Sequence, residues 1–159
     1  MYRNVAVVGL FLITVFAVFA ALQPIIPSNA QRFSELGVLG PDRVIGGYPT
    51  EVTQGSIVNL YGYVVDHQGA VAYYQVEVKL GNSATQVSNT TAADAPEINS
   101  YSLVLADNQT STFPVSLRMD TAGTNLKLIF ELWSYNASSA QFTYTGLSDQ
   151  LYLNVTGGP

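Results

Sequence analysis

The sequence predicts an all-β fold, an immunoglobulin-like antiparallel β-sandwich of 7–9 strands preceded by a single N-terminal transmembrane helix. Apolar residues after position 47 recur with a period of two, and turn residues interrupt them about every ten positions. One uncharged run precedes this pattern, and the roughly 125 residues left are enough for one domain. A small β-barrel is the alternative all-β solution.

The uncharged run Val5–Leu22 has 18 residues. As a helix it would rise roughly 27 Å, close to the hydrocarbon thickness of a bilayer. Arg3 precedes the run and the next positive charge is Arg32, so the positive-inside rule places the N-terminus in the cytoplasm. We therefore expect a single-pass protein of the cytoplasmic membrane that contacts lipid through Val5–Leu22, with an extracellular C-terminal domain.

Cleavage after Ala30 is the alternative to a retained anchor, because Ser28-Asn29-Ala30 is a small-x-small site that follows Pro24 and Pro27. The length of the run favours the anchor. The predicted organisation is therefore an anchor at 1–27, a linker with a first short strand at 28–47, and the rest of the sandwich at 48–159. The fold unit covers about 32–156.

The clearest strand is Ala72–Leu80, in which every second residue is apolar. Ser56–Val65 alternates in the same way, and Asp66-His67-Gln68-Gly69 between them predicts a type I turn that closes a hairpin. Further strands are predicted at Phe33–Leu39, Asn99–Leu105, Thr112–Met119, Leu126–Tyr135, Gln141–Thr145 and Gln150–Val155, with a weaker one at Ala84–Ser88. Pro114 predicts that its strand is an edge strand or contains a bulge.

Composition excludes several classes of function. The chain has 6 Lys+Arg against 11 Asp+Glu without a basic cluster, so nucleic acid is not an expected partner. It has no cysteine and one histidine, His67, which excludes thiolate zinc sites, cysteine nucleophiles and multi-histidine metal centres. We therefore expect neither a cofactor nor a metal.

No catalytic motif stands out either. His67 follows Asp66, but a nucleophile elbow of the G-x-S-x-G type is absent from the sequence, and we read His67 as an exposed turn residue. The acidic residues are scattered singly rather than paired. The sequence therefore predicts a protein that is not an enzyme.

Two groups of residues are candidates for surface interactions. Four sequons predict N-glycosylation at Asn89, Asn108, Asn136 and Asn154. Five aromatic residues fall on the strand phase opposite the apolar stripe, where rigid rings with polar tips can contact a partner protein or a sugar; they are Tyr61, Tyr63, Tyr73, Trp133 and Tyr135. Cross-strand packing within a sheet is the competing interpretation of these rings.

An ordered set of strand and turn segments resembles an uncharacterised family of archaeal membrane-associated proteins with an exported β domain of unknown function. The segments are Phe33–Leu36, Val38–Pro41, Gly47–Thr50, Gly55, Tyr61–Lys79 and Leu151–Val155. The resemblance covers about residues 32–156 and implies an archaeal cell-surface domain without an assigned activity. It carries no functional residues over to this chain.

Together these observations predict a non-enzymatic, membrane-anchored extracytoplasmic structural or interaction module. We expect a glycosylated cell-surface protein or an accessory subunit of an envelope or membrane complex, with other proteins of that complex as partners. One alternative is a secreted or pilin-like filament subunit that donates residues 31–39 as a strand to a neighbour. Another is a carbohydrate-binding module that uses the five aromatic residues.

Overall fold

A computed structural model describes residues 32–158, which form two β-sheets. The strands are β1 (Phe33–Leu39), β2 (Glu51–Thr53), β3 (Ile57–His67), β4 (Ala72–Gly81), β5 (Glu97–Leu105), β6 (Thr110–Arg118), β7 (Gly123–Asn136) and β8 (Gln141–Thr156). The smaller sheet has the order β1-β3-β6 and the larger one has the order β2-β8-β7-β4-β5. Neighbouring strands are antiparallel except β2 and β8, which run parallel.

The connections are those of an immunoglobulin-like sandwich. The chain leaves the smaller sheet after β1, joins the edge of the larger sheet as β2, and returns to pair β3 with β1. It then crosses between the sheets from β3 to β4, from β5 to β6 and from β6 to β7. In this fold a three-stranded sheet packs face to face against a second sheet that contains the remaining strands. The predicted immunoglobulin-like β-sandwich is confirmed, and the eight strands of the described residues fall within the predicted 7–9.

The core lies between the sheets and consists of the predicted alternating residues. On β3 and β6 the inward side chains include Val58, Leu60, Val64, Val115 and Leu117, all nearly inaccessible to solvent. The larger sheet faces them with Tyr74, Val76, Val78, Leu128, Phe130, Leu132, Leu153 and Val155. Removing these side chains from water is the main favourable contribution to folding.

The predicted strand β1 is found with the predicted bounds, and β6 is an edge strand, as Pro114 indicated. The prediction of a hairpin turn at 66–69 is wrong. β3 continues through His67 because it pairs with β1 as far as Phe33, and the chain then crosses to the other sheet.

Three other strand predictions differ from the structure. Residues 84–88 are not a strand, since this segment lies in a loop at 82–96. Gln141–Thr145 and Gln150–Val155 belong to one strand, β8, because a β-bulge next to Gly146 keeps it paired with β7. The three-residue β2 was not predicted, and it is too short to show a period of two.

Among residues 32–158, no helix is long and apolar enough to cross a bilayer. The anchor predicted at Val5–Leu22 and the cleavage site after Ala30 lie outside the described residues.

Candidate functional site

The outer face of the larger sheet is divided into a covered polar end and an exposed aromatic end. Residues 82–96, called the covering loop below, connect β4 to β5 and lie over one end of this face. Beneath the loop, Lys79 Nζ lies 2.8 Å from Glu131 Oε2 and 3.2 Å from Glu77 Oε2. Glu131 is fully buried and Lys79 is 8% exposed.

This ion pair also holds the covering loop. The second carboxylate oxygen of Glu131 accepts a hydrogen bond from the Ala93 N–H at 2.5 Å, and Lys79 Nζ donates to the Ala93 carbonyl at 3.3 Å. Burial by itself lowers the pKa of Lys79, but the hydrogen bonds and charges of Glu131 and Glu77 outweigh it and raise this pKa above its usual value. Lys79 therefore stays protonated at neutral pH.

Two further side chains fasten the covering loop to the sheet. Lys127 Nζ donates to the Thr85 carbonyl at 2.7 Å, and the Tyr144 hydroxyl donates to the Ser88 carbonyl at 2.9 Å. These contacts satisfy backbone groups of a segment that has no strand partner. The loop is thus bonded at several points along its length.

At the other end of the same face, three rings from three strands form a triangular cluster. Tyr73 on β4 lies next to Tyr135 on β7, just beyond the pair Tyr74–Ser134, and Tyr135 is paired with Phe142 on β8. The ring centroids are 6.0 Å apart for Tyr73 and Tyr135, 5.0 Å for Tyr73 and Phe142, and 5.5 Å for Tyr135 and Phe142. Both tyrosines are 40% exposed. Val104 of β5 is paired with Tyr73 and is 65% exposed, so it extends this cluster to the sheet edge.

An aromatic pair lies between this cluster and the covering loop. Trp133 and Tyr144 are cross-strand partners with ring centroids 5.5 Å apart, and Lys79 Nζ lies 5.4 Å from the centroid of the Trp133 ring. The Trp133 Nε1 is buried and has no hydrogen-bond partner among the described residues. We call Tyr73, Trp133, Tyr135, Phe142 and Tyr144 the aromatic end.

The structure separates the five predicted aromatic contacts into two groups. Tyr73, Trp133 and Tyr135 lie at the aromatic end, whereas Tyr61 and Tyr63 are on β3 in the smaller sheet. The Tyr61 ring lies 4.7 Å beneath the Arg43 guanidinium. The Tyr63 ring covers Gly37, where an added Cβ would lie 2.2 Å from Tyr63 Cε1. The five rings therefore do not form one surface.

The four sequon asparagines differ in how their side chains are bonded. Asn154 is half-buried in β8; its Nδ2 donates to Glu51 Oε1 at 2.8 Å and its Oδ1 accepts from the Asn125 N–H at 2.8 Å. The Asn108 Nδ2 donates to Asp107 at 2.8 Å. Asn89 and Asn136 are exposed, and neither Nδ2 has a hydrogen-bond partner among residues 32–158. Sugar attachment is therefore least obstructed at Asn89 and Asn136.

His67 and Asp66 point to different partners. The His67 Nδ1 lies 2.7 Å from Asn108 Oδ1, and its ring packs 4.5 Å from that of Phe33. Asp66 is buried, and its Oδ1 accepts from the Tyr74 hydroxyl at 2.9 Å. Burial raises the pKa of Tyr74 to about 12, with the Asp66 contact adding to the rise and a hydrogen bond with Ser34 opposing it. Within the described part of the chain, no group of three His, Cys, Asp or Glu residues is placed to hold a metal ion.

The sequence reasoning missed Phe142 and Tyr144, and it also missed the buried ion pair. Phe142 and Tyr144 alternate within the predicted strand Gln141–Thr145, across a short turn from Trp133 and Tyr135. Pairing the two strands as a hairpin would have placed the four rings together. Lys79 and Glu131 alternate with the inward apolar residues of β4 and β7, and nothing near them in the sequence indicates that residues 82–96 cover them.

Fold and surface together define an immunoglobulin-like β-sandwich domain with a partly covered outer face. Residues 27–156 match the family DUF1616, described as a domain of unknown function, and the chain belongs to this family. The prediction of an uncharacterised family is thereby confirmed. No curated protein matches the sequence significantly.

Solved structures resemble this chain at low sequence identity. A β-glucosidase from Listeria innocua in complex with glucose is 10% identical with a TM-score of 0.50, and the match covers 80% of this chain but only 16% of that enzyme. The CARDB domain of the PF1109 protein from Pyrococcus furiosus is 8% identical over 79% of this chain and 89% of that chain, with a TM-score of 0.49. At this identity the likeness to the β-glucosidase concerns the fold alone.

Proposed function

We propose that this chain is a non-enzymatic interaction module, held at the outer face of the cytoplasmic membrane by Val5–Leu22, whose aromatic end binds a protein partner. The partner belongs to the cell envelope or to a larger membrane complex, in which the chain is an accessory subunit. The uncharged anchor run and the exported sandwich pattern support the location.

The observation that carries the binding role is the cluster of exposed Tyr73 and Tyr135 with half-buried Phe142, beside Val104. Rigid rings on a firmly paired sheet lose little conformational entropy when they contact a partner, and such rings are enriched where proteins bind each other. This end of the face is open because the covering loop occupies only the polar end. An uncovered apolar cluster rimmed by polar residues is typical of an interaction site.

The inclination of the rings favours a protein over a sugar. Phe142 is inclined at 66° to Tyr73 and at 68° to Tyr135, and the two tyrosines are inclined at 46° to each other. Tilted rings leave gaps that apolar side chains can fill, whereas a pyranose ring stacks best on a flat surface. With Tyr61 and Tyr63 in the other sheet, the five-residue carbohydrate site loses its basis.

The filament alternative is also weakened. All seven residues of β1 pair with β3 of the same chain, from Phe33 opposite His67 to Leu39 opposite Tyr61. Donating this strand to a neighbour would break that pairing and uncover the inner side of Val38, which is 3% exposed.

The test compares two variants with changes on the same outer face. The full chain carrying both Tyr73→Ser and Tyr135→Ser, and a control carrying Tyr152→Ser, would be expressed in the native host and cross-linked in intact membranes. Tyr152 is 52% exposed and lies on the same face beneath Lys127, away from the aromatic end. We expect the double variant to lose a specific cross-linked partner about tenfold or more, as at aromatic hot spots, and the control to keep it.

Equal cross-linking of the wild type, the double variant and the control would refute the binding role. The location is tested separately by carbonate extraction of membranes. The full chain should stay in the membrane fraction, and a soluble chain that begins at Gln31 would refute the anchor.

A further inference from the structure

Each sheet has two edge strands, and three of these four edges are blocked. On β1, the Val38 N–H donates to Asp149 Oδ2 at 3.1 Å and the Val38 carbonyl accepts from the Tyr48 hydroxyl at 2.7 Å. β6 carries Pro114, which has no N–H, and β2 has only three residues. Such features prevent another strand from pairing with an edge.

The fourth edge, β5, is open over residues 99–105 except at the Ser100 N–H, which is bonded to the Asn99 side chain. This stretch has no charge and no proline, and it pairs without interruption with Ala72–Val78 on its other side. The β-bulge near Lys79 lies just before it. Among residues 32–158, no side chain or loop hydrogen-bonds to the backbone N–H or C=O of Ser102 or Val104. A regular, uncharged and unpaired edge is a site for strand addition.

The backbone direction fixes which residues can pair outward. The Ser100 N–H donates to Asn99 Oδ1 at 2.8 Å instead of to β4. Because N–H directions alternate along an antiparallel strand, Ser102 and Val104 share the outward direction of Ser100. Their side chains are exposed as well, and Val104 is 65% exposed.

We propose that β5 pairs with β5 of a second copy, antiparallel and centred on Ser102. In this register Ser102 faces its own counterpart and Ser100 faces Val104 of the other copy. The outward-directed residues exchange about four hydrogen bonds across the two-fold axis, and about six once each Ser100 N–H leaves Asn99 for the Val104 carbonyl of the other copy. Half-buried Tyr101 then lies opposite Leu103 of the other copy, as an apolar cross-strand pair.

A second copy is favoured over an unrelated peptide because the stretch complements itself. In this register residues 99–105 of one copy pair only with residues 99–105 of the other, and the β-bulge lies outside the paired stretch. No like charges come together, since the stretch has no charged residue. Self-association through β5 does not depend on what the aromatic end binds, so the two proposals can fail separately.

Single cysteines test the register directly, because the chain has none of its own. The full chain in detergent micelles would carry Ser102→Cys, Ser100→Cys or Val104→Cys and be treated with a mild oxidant. Cα atoms of a hydrogen-bonded pair lie about 5.5 Å apart, which a disulfide can bridge. Ser100 and its counterpart would be offset by four residues, or about 14 Å, which a disulfide cannot bridge.

We expect S102C to form a disulfide-linked dimer, S100C and V104C to remain monomeric by themselves, and a mixture of S100C with V104C to cross-link. An absence of cross-linking in S102C and in the mixture would overturn the proposal. Equal cross-linking of all three single variants would also overturn it, since that result indicates random collision or association through another segment.

Proline substitutions provide the matched control. Ser102→Pro removes an outward N–H from β5, and Thr112→Pro removes one from β6, where Thr112 shares the strand phase of Pro114. In the S100C and V104C mixture, Ser102→Pro should reduce the dimer yield about tenfold while Thr112→Pro leaves it unchanged, with both variants showing wild-type circular dichroism. Equal yields in the two backgrounds would refute pairing through β5.

Discussion

The ion pair beneath the covering loop yields the sharpest prediction about stability. Replacing Lys79 with Met removes the cation and leaves Glu131, which is 0% exposed, with the Ala93 N–H and no positive charge. Breaking one side of a buried pair costs about 3 to 5 kcal/mol, because the remaining charge stays buried without compensation. We expect a loss of that size in the free energy of unfolding for Lys79→Met.

The reverse substitution should cost less. In Glu131→Leu, Lys79 keeps Glu77 at 3.2 Å, and the main loss is the acceptor of the Ala93 N–H, worth about 1 to 3 kcal/mol. The double variant removes both charges, so it should be more stable than the sum of the two single losses predicts, with a coupling of about 2 kcal/mol.

Urea unfolding at pH 7, followed by Trp fluorescence, measures all three variants, and hydrogen exchange of the Ala93 amide reports whether the covering loop detaches. Arg118→Met is the control, because Arg118 and Asp120 form an ion pair whose side chains are 66% and 68% exposed. Such a pair is worth less than about 1 kcal/mol. If Lys79→Met costs no more than Arg118→Met, the buried pair does not hold the loop.

Three further predictions concern pH, packing and modification. The pKa of Tyr74 is raised to about 12, so its contribution to the free energy of unfolding is complete below pH 10 and is lost as the pH rises to 12. In urea unfolding, Tyr74→Phe should therefore remove about 2 to 3 kcal/mol of the stability that the wild type loses over this pH range. An unchanged pH profile would contradict this. Gly62→Ala should cost about 1 to 3 kcal/mol in the same assay, since the new Cβ would lie 2.4 Å from Phe113 Cζ; wild-type stability would show that the ring can move away. In a glycosylating host, glycopeptide mass spectrometry of the exported chain should find Asn136 more fully occupied than Asn154, whose amide is bonded on both sides, and the opposite order would refute this accessibility argument.

The strands were predictable where one face is buried and the other is exposed. In β3 and β6 the apolar period of two follows directly from the pleat, because every second side chain enters the core. Pro114 alone was enough to predict an edge strand, since proline cannot donate a hydrogen bond to a neighbouring strand. These features depend on residues that are close together in sequence.

The connections were not predictable in the same way. Asp66–Gly69 has the residues of a hairpin turn, yet the chain crosses here from one sheet to the other. A turn signal describes the local backbone and does not state which strand follows as a neighbour. Which strand neighbours β3 depends on its pairing with β1, and the residues of these two strands are far apart in sequence.

The candidate site was predicted in part for the same reason. Strand phase placed Tyr73, Trp133 and Tyr135 on an outward face, and the structure puts them together because β4 and β7 are neighbours. The same phase applied to Tyr61 and Tyr63 gives outward rings on the other sheet. Phase determines the face of a strand, whereas only the pairing determines which strands share that face.

The covering loop explains why both proposed surfaces lie at one side of the larger sheet. It covers the polar end of the outer face and leaves the aromatic end uncovered, and this end continues through Val104 into β5. In the proposed dimer the two-fold axis is perpendicular to the joined sheet, and the aromatic ends of both copies therefore face the same side. A partner with two matching sites would bind such a pair more tightly than one copy, because the second contact is intramolecular. Ser102→Pro should then weaken capture of that partner without altering any residue of the aromatic end.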